Sequence, residues 1–98
     1  MTTSAAAALR LPPELTHRQA TACLAQLLQS VGGAAPGNAL VVDAAPLRAF
    51  DTSALAVLLE FRREALAAGL GFAVRGLPQA LQGMAGLYGV DGLLNDAA

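Results

Sequence analysis

One stretch, residues 39–59, constrains the fold more than any other part of this chain. It places a short apolar run, Leu40 to Val42, before a polar loop and a long helical pattern of apolar residues. The run has two β-branched members and no polar side chain, which predicts a strand covered on both faces. Asp43 follows the run, and Pro46 prevents a simple continuation of the strand. The stretch therefore predicts a buried strand that leads through a tight loop into a helix.

Three residues suited to capping a helix, Asp51, Thr52 and Ser53, stand directly before this helical pattern. Two hydroxyls thus lie where free backbone N–H groups and the positive end of the helix dipole converge. In the simpler interpretation, one hydroxyl caps the helix and the other is solvated. In the functional interpretation, the loop is a recognition point and Ser53 or Thr52 is a phosphorylation site. Both interpretations stay open on these residues alone.

The rest of the chain alternates strands with helices. Residues 1–5 are expected to be a loose tail, and the pattern predicts a strand over residues 6–11 and a first helix that opens with the capping box Thr16-x-x-Gln19. A helix over residues 52–68, a strand over residues 71–75 and a last helix from Leu77-Pro78 to Gly89 follow. The alternation predicts one α/β domain over residues 1–98, with a mixed, largely parallel β-sheet flanked by helices.

The helix predicted over residues 52–68 has two faces. Its broad apolar arc consists of Ala54, Leu55, Val57, Leu58, Leu59, Phe61, Ala65 and Leu66. Its polar arc holds Ser53, Glu60, Arg63 and Glu64 on neighbouring turns. Arg62 falls on the apolar side, and the pattern gives it no role. The polar arc begins at the hydroxyl pair, so it extends the candidate recognition surface along the helix.

Composition limits the classes of function. Net charge is −1 without a basic run, so binding to nucleic acid is not expected. No apolar run approaches the roughly eighteen residues of a membrane span, so direct membrane insertion is not expected either. No basic segment marks a secretory signal, and the one cysteine, Cys23, fits a reducing cytoplasm. Only 13% of residues are charged, which indicates that a partner covers part of the surface.

Signals for catalysis, metals or cofactors are weak. His17 is the only histidine and has no cysteine or acidic cluster nearby, so metal binding is not expected. Cys23 lies on the apolar stripe of the first helix, which is typical of an inert core thiol. Asp43 and Asp51 could meet at one end of the sheet and perform acid–base chemistry. Strand termination and helix capping explain both carboxylates more simply, so we expect no enzyme.

The same stretch carries a family resemblance. Val41-Val42-Asp43, followed by Phe50-Asp51-Thr52-Ser53-Ala54-Leu55, resembles the signature of STAS domains, named for sulphate transporters and anti-sigma factor antagonists. The usual signature is a strand ending in Asp, then Asp-Ser-Ser-Gly-Leu or Asp-Thr-Gly-Gly-Leu at a helix start. Ala54 replaces the family glycine here and adds a methyl group to the loop. The resemblance covers residues 9–94 and implies a STAS-like fold without a nucleotide of its own.

The resemblance implies two alternative functions. In the small STAS subunits of the Mla phospholipid-transport ABC complex, the threonine that corresponds to Thr52 lies at the contact with the ATPase. In anti-sigma factor antagonists, the second hydroxyl, which corresponds to Ser53, is phosphorylated by a partner serine kinase. The short N-terminus, the stand-alone domain and the threonine directly after Asp51 favour the transporter subunit.

The favoured alternative implies a cytoplasmic accessory subunit, held at the inner face of the inner membrane through its complex. It would bind the ATPase of a transporter that maintains outer-membrane lipid asymmetry. The implied partner contact comprises Asp51, Thr52, Ser53, Glu60, Arg63 and Glu64.

Overall fold

The computed structural model of this chain describes residues 9–94. Its strands are β1 (Leu9–Arg10), β2 (Glu14–Leu15), β3 (Ala39–Asp43), β4 (Ala49–Phe50) and β5 (Gly71–Arg75). Its helices are α1 (Ala20–Gly33), α2 (Thr52–Ala67) and α3 (Gln79–Leu87), followed by a 3₁₀ turn over Asp91–Leu93. The predicted tail over residues 1–5, and residues 6–8 of the first predicted strand, lie outside the described residues.

The main sheet consists of three parallel strands in the order β1-β3-β5. Val42 lies at its centre, beside Leu9 of β1 and Val74 of β5, and its side chain is fully buried. Parallel neighbours joined through helices confirm the predicted α/β class. The helices also confirm a STAS-like layered arrangement, although the described helices cover one face of the main sheet and not both.

The core lies on one face of the main sheet. Leu40, Val42, Phe72 and Val74 point into it and pack against the helices. The alternate residues Val41 and Ala73 are only half-buried and lie outside the core cluster. The prediction that β3 is covered on both faces was therefore wrong. Within residues 9–94 the helices supply one apolar layer, and the other sheet face carries small apolar side chains together with the charged row Arg10, Asp43 and Arg75.

A second, two-stranded sheet pairs β2 with β4 in parallel, with Leu15 beside Phe50. Neither strand was predicted, because two residues are too few to show a period. Thr16 follows β2 and α2 follows β4 closely, so the pairing places the turn at Thr16 beside the start of α2. It therefore positions the segment that the capping-box pattern had assigned to α1.

Helix α1 begins at Ala20, three residues later than a capping box with Thr16 as its N-cap predicts. The Gln19 side-chain oxygen does accept from the Thr16 N–H, at 2.9 Å, as in a capping box. However, the Gln19 N–H donates to the Thr16 carbonyl at 3.1 Å, which closes a separate turn before the helix. The apolar stripe of α1 is as predicted, because Cys23 and Leu27 are buried in the core.

Helix α2 begins at Thr52 as predicted and ends one residue earlier, at Ala67. Six residues of its predicted apolar arc are buried: Ala54, Leu55, Val57, Leu58, Phe61 and Ala65. Phe61 is fully buried and meets Phe72 edge-to-face, with ring centroids 5.9 Å apart. The other two residues of the arc differ, because Leu59 is half-buried and Leu66 is 46% exposed. Arg62 is half-buried, and no salt bridge joins it to another residue within 9–94.

Helix α3 starts at Gln79, with Pro78 immediately before it rather than in its first turn. It ends at Leu87, before Gly89, which adopts a positive φ of 71° as a helix stop does. Across residues 9–94, every helix is too short or too polar to traverse a lipid bilayer.

Candidate functional site

The start of α2 is capped by Asp51. Its backbone is extended, and its Oδ1 accepts a hydrogen bond from the Ser53 N–H at 2.8 Å. The Asp51 carbonyl also accepts from the Ala54 N–H at 3.0 Å. The carboxylate thus takes the capping position that the sequence left open among three residues. The interpretation in which Thr52 or Ser53 supplies the cap is wrong.

Asp51 has a second set of partners on a distant segment. Its Oδ2 accepts from the His17 N–H at 3.2 Å and lies 3.4 Å from His17 Nδ1. The β2–β4 pairing makes this possible, because it places the turn after Leu15 beside Asp51. Sequence reasoning gave His17 no function. The contact spans 34 residues, and no local pattern announces it.

These contacts set the charge state of Asp51. Partial desolvation raises the pKa of this carboxyl group, but the hydrogen bonds oppose it and their combined effect is larger. They come from the Ser53 and His17 backbone N–H groups and from the side chains of the same two residues. The pKa of Asp51 therefore lies below its ordinary value, and the group is a carboxylate at neutral pH.

The two hydroxyls differ in their surroundings. The Thr52 side chain is exposed, and its hydroxyl makes no hydrogen bond to another residue within 9–94. Ser53 is half-buried and lines a shallow depression of about 340 Å³ between α1 and α2. The other lining residues of this groove are Ala20, Thr21, Leu24, Ala56, Val57 and Glu60. Thr52 is therefore available to an incoming surface, and Ser53 less so.

A second depression lies on the other side of Asp51 and has a volume of about 440 Å³. It is lined by Glu14, Thr16, His17, Arg18, Gln19, Ala49 and Asp51. Asp51 thus belongs to one depression and Ser53 to the other. Thr52 stands between them in the chain, at the first position of α2. The residues directly before and after the exposed Thr52 therefore line different depressions.

The predicted polar arc of α2 forms a network of its own. Arg63 donates to both carboxylate oxygens of Glu60, from Nε at 3.2 Å and from Nη2 at 2.8 Å, and Nη2 reaches Glu64 at 3.5 Å. The hydrogen bond from Arg63 lowers the pKa of Glu60, and the same bond raises the pKa of Arg63. Only Glu60 shares a depression with Ser53. Arg63 and Glu64 lie further along α2 and do not line either depression.

The residues considered for chemistry have separate surroundings. Asp43 accepts from the Ala45 N–H at 3.0 Å and lies 3.8 Å from Arg75, whereas Asp51 contacts Ser53 and His17. In the described part of the chain, the two carboxylates therefore share no hydrogen-bond partner. Burial raises the pKa of the Cys23 thiol, as expected of a core residue. Within residues 9–94, no group of three or more His, Cys, Asp or Glu side chains is placed to hold a metal ion.

Comparison with known proteins identifies a family. A family model described as "Mlab, STAS domain" matches residues 1–95, which include every strand and helix described above. The chain matches no curated protein. The matched range contains the Asp51–Ser53 loop, both depressions and the polar arc of α2.

Proposed function

Because this chain belongs to the STAS domain family and is MlaB-like, we propose that it is a non-catalytic subunit that binds the ATPase of an ABC-type phospholipid transporter. STAS domains are generally binding or regulatory modules rather than enzymes. In the proposed role, the chain supports assembly or activity of the ATPase at the cytoplasmic face of the inner membrane. The transporter then maintains the lipid asymmetry of the outer membrane.

The observation that carries the proposal is the division of tasks between Asp51 and Thr52. Asp51 caps α2, so Thr52 is not needed for capping and leaves its hydroxyl exposed. The free N–H groups at this helix end add partial positive charge beside the hydroxyl. Thr52 is thus a polar contact point held on a rigid element, which is what a specific protein contact requires.

The surface around Thr52 supports a close contact. Ala56 lies one turn further along α2 and is also exposed, so two small side chains stand together on the outer face. Small side chains let a partner approach the helix closely. Beyond them, the Glu60–Arg63 pair supplies charges of both signs, with Glu64 beside it. We assign Asp51, Thr52, Ser53 and this charged pair to the proposed interface, with Thr52 at its centre.

The alternative function, an anti-sigma factor antagonist, requires a phosphate on Ser53. The Ser53 N–H already donates to the Asp51 carboxylate, and Glu60 lines the same groove as Ser53. A phosphate there would add roughly two negative charges beside existing carboxylates. The family match is compatible with both functions, so the comparison must be made on the native complex.

The first test is purification of the chain from its source cell under native conditions. Intact mass and identification of the companion proteins are the two readouts. The proposal expects an unmodified chain bound to an ABC ATPase. A chain that carries one phosphate and is bound to a serine kinase would overturn the proposal in favour of the alternative.

The second test uses variants of Thr52 in a binding measurement with the purified ATPase. We expect Thr52→Glu to weaken binding by about tenfold or more, because an unpaired charge is forced into the contact. Thr52→Val should weaken it less, because it removes only the hydroxyl. Gln29→Glu is the matched control, since it adds the same charge at an exposed position of α1, two residues beyond the buried Leu27.

The control variant should bind as the wild type does, and all three variants should keep the wild-type circular dichroism spectrum. Equal affinity of Thr52→Glu and Gln29→Glu would remove Thr52 from the interface.

A further inference from the structure

We propose that His17 is a positioning residue for the partner-binding surface, that it holds the Asp51 carboxylate beside Thr52, and that protonation of its ring strengthens partner binding. This inference rests on the proposed function, and it adds a regulation of the same surface. The contact between His17 and Asp51 joins the turn over residues 16–19 to the start of α2, and the sequence alone gives no sign that these two segments meet.

The turn that carries His17 is fixed by its own hydrogen bonds. The Thr16 hydroxyl donates to the Gln19 side-chain oxygen at 2.8 Å and accepts from the Arg18 N–H at 3.2 Å. The Thr16 N–H donates to the same Gln19 oxygen. These bonds surround His17 on both sides in the chain. The imidazole is therefore presented to Asp51 by a preorganised turn.

The contact with His17 fixes the Asp51 side chain. Oδ1 accepts from Ser53, and Oδ2 accepts from the His17 backbone while facing His17 Nδ1. With both oxygens engaged, the carboxylate cannot rotate, and the backbone that leads into Thr52 is held as well. A surface held in its bound conformation loses less conformational entropy on association. His17 thus acts on binding through Asp51 without touching the partner itself.

The ring makes the contact sensitive to pH. Imidazole ordinarily changes its charge between about pH 5 and 8. A protonated ring always offers Nδ1–H to Asp51, whereas a neutral ring does so in only one of two tautomers. The other charged groups of the depression are Glu14 on β2 and Arg18 on the turn.

The test compares three proteins: wild type, His17→Ala and His17→Asn. The asparagine amide nitrogen stands near the position of Nδ1 and donates a hydrogen bond without titrating. Affinity for the ATPase is measured at about pH 6 and about pH 8, which bracket the titration of imidazole. We expect wild-type affinity to fall about threefold to fivefold between the two, the effect of one exposed charge-assisted hydrogen bond.

His17→Asn should bind equally at both pH values and match the wild type at the lower one. His17→Ala keeps the backbone N–H contact with Asp51 but loses the ring, so it should bind equally at both pH values and more weakly than the wild type at the lower one. Titration of groups on the ATPase would change the affinities of all three proteins by the same factor. The deciding quantity is therefore the ratio of the wild-type affinity to each variant's affinity at each pH. The same ratio at both pH values for every protein would overturn the inference.

A second readout needs no partner. Hydrogen exchange of the Ser53 amide, which donates to Asp51, should be several-fold faster in His17→Ala, while the amides of Val42 and Val74 in the sheet stay protected. Unchanged Ser53 exchange would also overturn the inference. If wild type fails to bind the ATPase at either pH, the proposed function fails, and the exchange measurement still decides whether His17 positions the loop.

Discussion

At the start of α2 one carboxylate serves two structural purposes. Asp51 caps the helix through Oδ1 and ties it to the turn over residues 16–19 through Oδ2. Asparagine at this position could keep the cap but not the charge, and alanine could keep neither. The three side chains therefore separate the effect of the cap from the effect of the charge.

This separation gives a prediction on the pH dependence of stability. Because the folded-state pKa of Asp51 is lowered, its charge stabilises the fold fully above the unfolded-state pKa of about 3.9 and loses that effect as pH falls through the folded-state value. At neutral pH we expect the free energy of unfolding to fall in the order wild type, Asp51→Asn, Asp51→Ala. The gap between wild type and Asp51→Asn should close below about pH 4.

Urea denaturation at several pH values measures this directly. Asp51→Ala is the reference, because it should stay less stable than Asp51→Asn at every pH. A gap between wild type and Asp51→Asn that is constant down to acidic pH would show that the charge of Asp51 does not stabilise the fold.

At the scale of elements, two glycines illustrate how position decides the effect of one substitution. Gly76 follows β5 with a φ of 69°, and a Cβ there would lie 3.0 Å from Ala45 Cβ and 3.1 Å from Ala45 N. Gly83 lies inside α3, and a Cβ there would meet nothing within 4 Å. The first position requires glycine for both backbone and space, and the second does not.

We therefore expect opposite results from the same change. Gly76→Ala should destabilise the protein by about 1–2 kcal/mol or more. Alanine would have to adopt a left-handed backbone conformation, and its Cβ would also clash with Ala45. Gly83→Ala should stabilise it by up to about 1 kcal/mol, because alanine favours the helix. Thermal and chemical denaturation of the two variants provide the comparison. A loss of stability in Gly83→Ala would mean that α3 is under a constraint not visible in its contacts.

The elements also show what the sequence could and could not predict. Helix α2 was predicted to within one residue, because a capping residue and a strong helical period mark it. The start of α1 was placed too early, because Thr16 and Gln19 have the same spacing in an isolated turn as in a capping box. The contact between His17 and Asp51 depends on the β2–β4 pairing. This pairing could not be predicted, because strands of two residues show no periodic pattern in the sequence.

At the scale of the whole molecule, several features suit a subunit of an assembly. The described part of the outer sheet face carries the half-buried Val41 and Ala73. At the end of α3, Leu87 is 86% exposed and Tyr88 is 63% exposed. The outer sheet face also carries the charged row Arg10, Asp43 and Arg75, so the apolar surface at the end of α3 is the stronger indication of a covered face. Large exposed apolar side chains are typical of surfaces that a partner covers.

Partner binding should therefore raise the stability of the chain. A ligand that binds only the folded state, at a free concentration of about 100 times its Kd, stabilises it by about 2.7 kcal/mol. We expect a gain of this size with the proposed ATPase, measured as protection from proteolysis of the unfolded state. A tenfold weaker affinity of Thr52→Glu should reduce the gain to about 1.4 kcal/mol at the same concentration, and Gln29→Glu should keep the full gain. Equal gains in both variants would place the contact elsewhere.

The cap at Asp51 has a consequence for how this protein can change. Because position 51 secures the helix, the exposed positions 52 and 56 take no part in the cap or in the buried core. Substitutions there can be selected on affinity alone, without a compensating change in the core. If the proposed interface is correct, the domain is a scaffold for engineering, in which a small library at these two positions should alter affinity for the partner while the fold is inherited unchanged.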